Sequence, residues 1–248
     1  MATQLRRAAL PLDTIIYPDS DGKPMADNTQ QFRWIQVIYH NLAWLFDPNP
    51  EVFVAGDLLW YPVEGDNKIR QAPDVMVVFG VEKGDRGSYQ QWKENHIAPQ
   101  VVFEILSPGN TLTEMSRKQI FYDRYGVEEY YIYDPDRRDL SGWIRREQHL
   151  TLLEDLNHWV SPRLGICFQG TTPELQLIRP DGQPFATYTE VSQQLAVTNQ
   201  QLQAANQQLE ATSQQLEATS QQLEAERQRA DRLAQRLQEL GIDPQSLA

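Results

Sequence analysis

Cysteine is almost absent from this chain. Cys167 stands alone, which excludes an intramolecular disulfide and any zinc site built from four thiolates. Histidine is scarce, and His40, His96, His149 and His158 show no metal-ligand spacing. Basic residues are outnumbered, 22 Lys and Arg against 34 Asp and Glu, for a formal net charge of -12. That balance argues against a protein that coats nucleic acid through a broad basic surface. It leaves room for a small acidic site offset by a divalent cation. Long apolar runs are missing as well. The first twenty residues carry Arg6 and Arg7 but no stretch long enough for a signal peptide or a membrane span. The expectation is a cytoplasmic protein without a membrane segment.

Aromatic residues are plentiful up to Tyr188, and beyond it there is no Trp, Tyr or Phe. Aromatics build cores, so their sudden disappearance places the end of a globular domain near that residue. The expected organisation is a folded domain over residues 1–187 (core about 28–180), a helical tail over 188–240, and a loose C-terminus over 241–248.

Residues 1 to about 27 read as an irregular lead-in rich in Pro, Asp and Gly. Asp27 or Asn28 is the expected cap of a helix with Phe32, Ile35, Ile38, Leu42 and Leu45 at helical spacing, ended by Asp47-Pro48. VFVAGDLLWYP, PDVMVVFG and QVVFEILSPG follow as β-rich runs bounded by Gly or Pro. A long polar insert over residues 81–99 reads as a surface loop. Thr113 is the expected cap of a second helix carrying Met115, Ile120, Phe121 and Tyr125 and stopping at Gly126. EEYYIYDP, LSGWIRRE and HLTLLED read as strands, the last two as a hairpin. This order predicts an α/β sheet with at least one helix packed on it.

The tail carries the most regular pattern. Leu195, Leu202, Leu209, Leu216 and Leu223 recur every seven residues, and QQLEATS occurs twice in succession. The same frame continues to Ala230 and Leu237. The partner core position holds Val191, Thr198, Ala205, Thr212, Thr219, Glu226, Leu233 and Leu240. A sustained seven-residue repeat predicts a left-handed coiled coil, and so a homo-oligomer, with a dimer favoured. The alternative is a solvated helix generated by repeat expansion. Gly241 supplies a stop signal.

Three residues carry the chemical reading: Asp74, Glu104 and Lys118. Asp74 follows Pro73 at the start of a β-run, and Glu104 lies inside VVFEILS. A carboxylate among Val102, Phe103 and Ile105 is costly to bury without a cation or a donor. Strand alternation puts Glu104 on one face with Val102 and Leu106. If the strands are neighbours, both carboxylates converge, and oxygen ligands of this kind suit Mg²⁺ or Mn²⁺. Lys118, early in the second helix, can reach back to supply positive charge or orient a water. The ordinary alternative is that Glu104 is a buried acid paired with a basic side chain.

Weaker candidates surround these. Asp57, in a strand, is an extra ligand, a supporting acid or a turn residue. Gln31 either faces the site or belongs to a polar helix face. Tyr122, one turn beyond Lys118, is expected in the core with its hydroxyl at the rim. Lys83, Arg86 and Lys93 with Tyr89 and Trp92 suggest a DNA-facing patch, but Glu82, Asp85 and Glu94 interrupt it and favour a solvated loop.

PDVMVV from Pro73, VVFEILSP with Glu104, Arg117-Lys118 with Tyr122, and GVEEYYIYDP from Gly126 together resemble the Uma-two family. Its members are restriction-endonuclease-like proteins of the PD-(D/E)XK nuclease superfamily. The resemblance covers about residues 15–180. It implies a mixed sheet flanked by helices and Mg²⁺-dependent hydrolysis of DNA phosphodiester bonds. Asp74 and Glu104 would match the motif acids, with the backbone carbonyl of Ile105 as a further ligand. The superfamily lysine would fall at Leu106, which cannot serve, and Lys118 would take its place from the helix. A catalytically inactive nuclease-fold module acting through its coiled coil is the alternative.

Overall fold

A computed structural model describes residues 15–22 and 24–239, the side chain of Gln238 excepted. Most of the irregular lead-in, the seam residue Leu240, the Gly241 stop and the loose C-terminus lie outside the described residues. The chain divides into two compact units, one ending at Thr187 and one beginning at Tyr188.

The first unit opens with α1 (Thr29–Leu45), capped by Asn28, whose side chain accepts from the Gln31 N–H at 2.8 Å. Its inward stripe is Gln31, Trp34, Ile35, Ile38, Asn41 and Leu42. Phe32, expected inside, is exposed, because the two buried amides have partners inside and take the stripe with them. Asn41 Nδ2 donates to the Val37 and Ala186 carbonyls.

A six-stranded mixed sheet follows, built from β1 (Val52–Gly56), β3 (Val75–Phe79), β5 (Val101–Ile105), β6 (Glu129–Asp134), β7 (Asp139–Arg146) and β8 (His149–Leu152), adjacent in that order. Within this sheet only β5 and β6 run parallel. α2 (Leu112–Arg124) makes the crossover between them, as a parallel pair requires. β9 (Trp159–Val160), β10 (Cys167–Phe168) and β11 (Leu177–Ile178) form a small second sheet, which the sequence did not announce.

The sheet has a different core on each face. On one, Ile35, Ile38 and Leu42 of α1 meet Val75, Val77, Phe103 and Ile105, with Phe168 and Leu177 closing that side. On the other, Tyr122 of α2 meets Met76, Val102 and Tyr130. Neighbours along β5 fall in opposite cores, as strand alternation requires.

Several sequence expectations change. The cap of α2 is Thr111, whose hydroxyl accepts from the Glu114 N–H at 3.2 Å. That start puts Tyr122 inside and leaves Ile120 in solvent. VFVAGDLLWYP is not one strand: it breaks after Gly56, and β2 (Trp60–Tyr61) pairs instead with β4 (Tyr89–Gln90) in the insert. The insert is therefore no simple surface loop. Tyr89 is fully buried, its hydroxyl donates to the Ile97 carbonyl at 2.7 Å, and its ring stacks near Phe53. Arg86 pairs with Glu94 at 2.7 Å and lies over Phe53. Two members of the suggested patch are thus committed to packing.

The second unit is α3 (Tyr188–Glu239), a single helix of 52 residues. Among the described residues no helix is long and apolar enough to cross a membrane.

Candidate functional site

The register of the sheet brings the acids together. β1 pairs with β3 through Gly56 and Val75, and β3 pairs with β5 through Val75 and Phe103. One step further along both ladders puts Asp57 beside Asp74 and Asp74 beside Glu104. The Asp57 N–H donates to the carbonyls of both Pro73 and Asp74, at 3.1 and 3.2 Å. Asp57 itself is not in a strand. It sits in the turn just after β1 with φ 49, a conformation that aspartate tolerates better than most residues.

Glu104 is 2% exposed, on the α2 face of β5. Each of its oxygens has a donor from α2. Lys118 Nζ donates to Oε2 at 2.7 Å, and the Tyr122 hydroxyl donates to Oε1 at 2.5 Å. Four residues apart, Lys118 and Tyr122 lie on one side of the helix. Lys118 thus reaches back from α2 to Glu104, an ion pair that the reading of Glu104 as an ordinary paired buried acid also expects, while Tyr122 is more deeply engaged than a rim hydroxyl.

Asp74 is buried beside this pair. Its Oδ2 accepts from the Ile105 N–H at 2.6 Å, and Oδ1 accepts no hydrogen bond among the described residues. Burial, then the charge of Glu104, pushes the Asp74 carboxyl well above its ordinary value, against smaller opposing effects of Lys118 and the Ile105 N–H. Asp57 is raised by burial and by Asp21, with Glu104 adding to the rise and Lys118 opposing it. For Lys118 the largest influence is burial, which lowers its pKa. Glu104 and Asp74 outweigh it, and the net shift is upward. Lys118 is an ammonium at neutral pH.

Gln31 joins the site from the other core. Its Nε2 donates to the Ile105 carbonyl and its Oε1 accepts from the Asp27 N–H, both at 2.8 Å. The Ile105 carbonyl thus has one lone pair occupied and one remaining. Ser107, just after β5, donates through its hydroxyl to Asp27 Oδ2 at 2.6 Å.

One residue escaped the sequence reading. Tyr130 of β6 pairs with Val102 and so shares the Glu104 face. Its hydroxyl is fully buried and has no hydrogen-bond partner among the described residues. Burial, then Glu104 and Asp74, raises its pKa well above the ordinary value. The alternation in EEYYIYDP separates Tyr130 from Tyr131, but only the register says which of them faces the acids.

Chemically, three carboxyl groups share one ammonium, and one of the two buried ones, Asp74, keeps an oxygen without a donor. That excess of negative charge and hard oxygen donors fits a hard divalent cation. Among the described residues no group of three or more His, Cys, Asp and Glu is gathered closely enough to form a ready cation cage. The oxygens that could serve as donors are those of Asp74, Glu104 and the Ile105 carbonyl, with Asp57 at the margin.

No curated protein matches this chain. Among solved structures it resembles the "Crystal structure of a putative nuclease belonging to DUF820 from Anabaena variabilis ATCC 29413", at 16% identity over 58% of this chain and 78% of that one, with a TM-score of 0.42. Residues 21–171 match the sequence model of the Uma2 (Uma-two) family, described as "Putative restriction endonuclease". That match takes in more than half of the chain, which belongs to this restriction-endonuclease-like family.

Proposed function

We propose that the protein is a metal-dependent endonuclease that hydrolyses DNA phosphodiester bonds, with Asp74, Glu104 and Lys118 as its catalytic residues. The observation that carries this reading is the convergence of Asp74 and Glu104 on neighbouring strands with Lys118 reaching over from α2. Asp74, Glu104 and the Ile105 carbonyl would hold Mg²⁺, with Mn²⁺ as a substitute. When bound, the cation supplies Lewis-acid polarisation of a phosphate oxygen and lowers the pKa of a nearby water.

The remaining work falls to side chains of the chain. Lys118, kept protonated by Glu104 and Asp74, is a poor base, so it neutralises charge that develops on the phosphate oxygens. Tyr122 fixes the rotamer of Glu104 by its hydrogen bond. Gln31 anchors the Ile105 carbonyl and keeps the end of β5 in place. Attack by water forms one P–O bond as the ester P–O bond breaks. The attacking water gives up a proton to solvent and the departing oxygen takes one from solvent, leaving a phosphate monoester and a free hydroxyl. The tail would join two copies as a coiled coil, and the exposed leucine stripe of α3 supports that part of the proposal.

A second reading is favoured by one feature. Both oxygens of Glu104 are already satisfied from within the chain, which suits a nuclease-fold module that binds without cutting. Nicking of supercoiled plasmid separates the two. The enzyme reading expects nicks with Mg²⁺ or Mn²⁺, none with EDTA, and none from Glu104→Ala. Intact plasmid with wild type in both metals favours the module.

A further inference from the structure

The second unit carries an apolar stripe that is exposed along the described length of its helix. Leu202, Leu209, Leu216 and Leu223 of α3 are 58%, 69%, 72% and 65% exposed, and they recur on one side of the helix every two turns. The neighbouring seam position is mostly small. Thr198, Thr212 and Thr219 donate their hydroxyls to the carbonyls of Gln194, Gln208 and Gln215, each at 2.8 Å. These threonines therefore need no polar partner across an interface.

Two orientations of a helix pair treat this seam differently. In a parallel, in-register pair, equal positions face each other. Leucine layers would alternate with threonine layers, and Glu226 would meet its own copy. Like charges brought that close in a seam are unfavourable. Arg227, Arg229, Arg232 and Arg236, with Glu224, Glu226, Asp231 and Glu239 among them, would also lie beside their own copies.

In an antiparallel pair, the leucine position of one helix faces the small position of the other. Centred on Gln214, this sets Leu209 against Thr219, Leu216 against Thr212, and Leu223 against Ala205. Large meets small in each of these layers, the arrangement that fills a seam evenly. Glu226 then faces Leu202 of the second copy rather than another glutamate, with Arg229 of its own helix 3.9 Å away. The arginine-rich stretch lies against residues 192–201, which carry no charge. Opposed helix dipoles add a smaller favourable effect.

We propose that two copies of this chain pair through α3 as an antiparallel two-stranded coiled coil centred on Gln214. This rests on the self-association stated above and specifies its partner, stoichiometry and direction. The two chains enter the pair from ends separated by roughly 70 Å, the length of the repeat at 1.5 Å per residue.

Disulfide trapping in the full-length chain tests it. Leu216→Cys and Thr212→Cys are each made in a Cys167→Ser background and oxidised alone and mixed, while light scattering gives the mass. Should Cys167→Ser melt early, the same pair is read with Cys167 retained and the unsubstituted protein as the blank. The expected result is a two-chain mass, with cross-linked dimer abundant in the mixture and weak in either variant alone. Strong cross-linking of each variant with itself, at a two-chain mass, overturns the antiparallel direction and leaves self-association standing. A four-chain mass overturns the two-stranded pair, and a single-chain mass overturns both the pairing and the self-association on which it rests.

Discussion

Two glutamates on adjacent strands make an informative pair. Glu104 on β5 and Glu129 on β6 are 2% and 1% exposed, yet they face opposite sides of the sheet. Glu129 takes hydrogen bonds from the Ser161 and Tyr131 hydroxyls and from the Arg163 N–H. Trp159 Nε1 in turn donates to the Tyr131 hydroxyl at 3.0 Å. Its donors are all neutral, they reach both of its oxygens, and they tie the segment bearing β9 to the main sheet. Glu104 instead shares its surroundings with a second buried carboxyl, an ammonium and an unpartnered phenol. Burial of an acid in a strand is therefore not what marks a site. Glu129 is held by neutral donors alone and Glu104 by an ammonium beside a second carboxyl, so the difference lies in whether charges converge.

The largest expected difference is in activity. Glu104→Gln should lower DNA nicking by on the order of a hundredfold or more, whereas Glu129→Gln should nick normally per folded molecule. Glu129→Gln should instead lose about 1–3 kcal/mol of stability in urea melts, because one of its donors loses its acceptor. Equal loss of nicking in both variants would erase the contrast. Lys118→Met comes next. It should cut nicking by on the order of a hundredfold while Mn²⁺ binding persists or tightens, since the ammonium and the cation compete for Glu104 Oε2. Weaker binding in that variant would mean that the lysine supports the cation rather than competing with it.

A pH experiment sharpens the comparison further. Asp74 and Glu129 are both raised, each chiefly by burial, from ordinary values of 3.8 and 4.5. A raised carboxyl binds its proton more tightly in the folded state. Its contribution to stability is thus fully present below the unfolded pKa and is lost as pH rises through the folded one. Metal-free protein should lose stability on that account as pH climbs from the acid range. Asp74→Asn should remove part of the slope and melt at a higher temperature than wild type at neutral pH. Mn²⁺ should flatten the Asp74 part in wild type and leave the Glu129 part alone. The smallest loss of activity among the site variants belongs to Tyr122→Phe, which should slow nicking by roughly tenfold without abolishing it, while losing about 1.5–3 kcal/mol of stability.

How much of this was visible in the sequence follows from the range of each interaction. Asp74 and Glu104 stood out because a Pro-Asp pair and a charge inside an apolar run are local signals. Lys118 was within reach because helical spacing fixes where a residue points. The heptads needed nothing beyond counting. Glu129 passed unnoticed because its partners, Ser161 and Arg163, lie more than thirty residues away and in segments with no pattern of their own. Tyr130 was missed, and the choice between site and polar helix face for Gln31 was left open, for a related reason. Which face of β6 meets the acids, and which side of α1 turns inward, depends on strand register and packing rather than on composition. The two-residue strands β2, β4 and β9 to β11 are too short for alternation to show.

Calorimetric titration of Mn²⁺ into wild type, Glu104→Ala and Glu129→Gln tests the proposed site most directly. Binding is expected in wild type and in Glu129→Gln and should vanish in Glu104→Ala. Undiminished binding in Glu104→Ala, or none in wild type either alone or with a DNA duplex present, would contradict a cation site at Asp74 and Glu104.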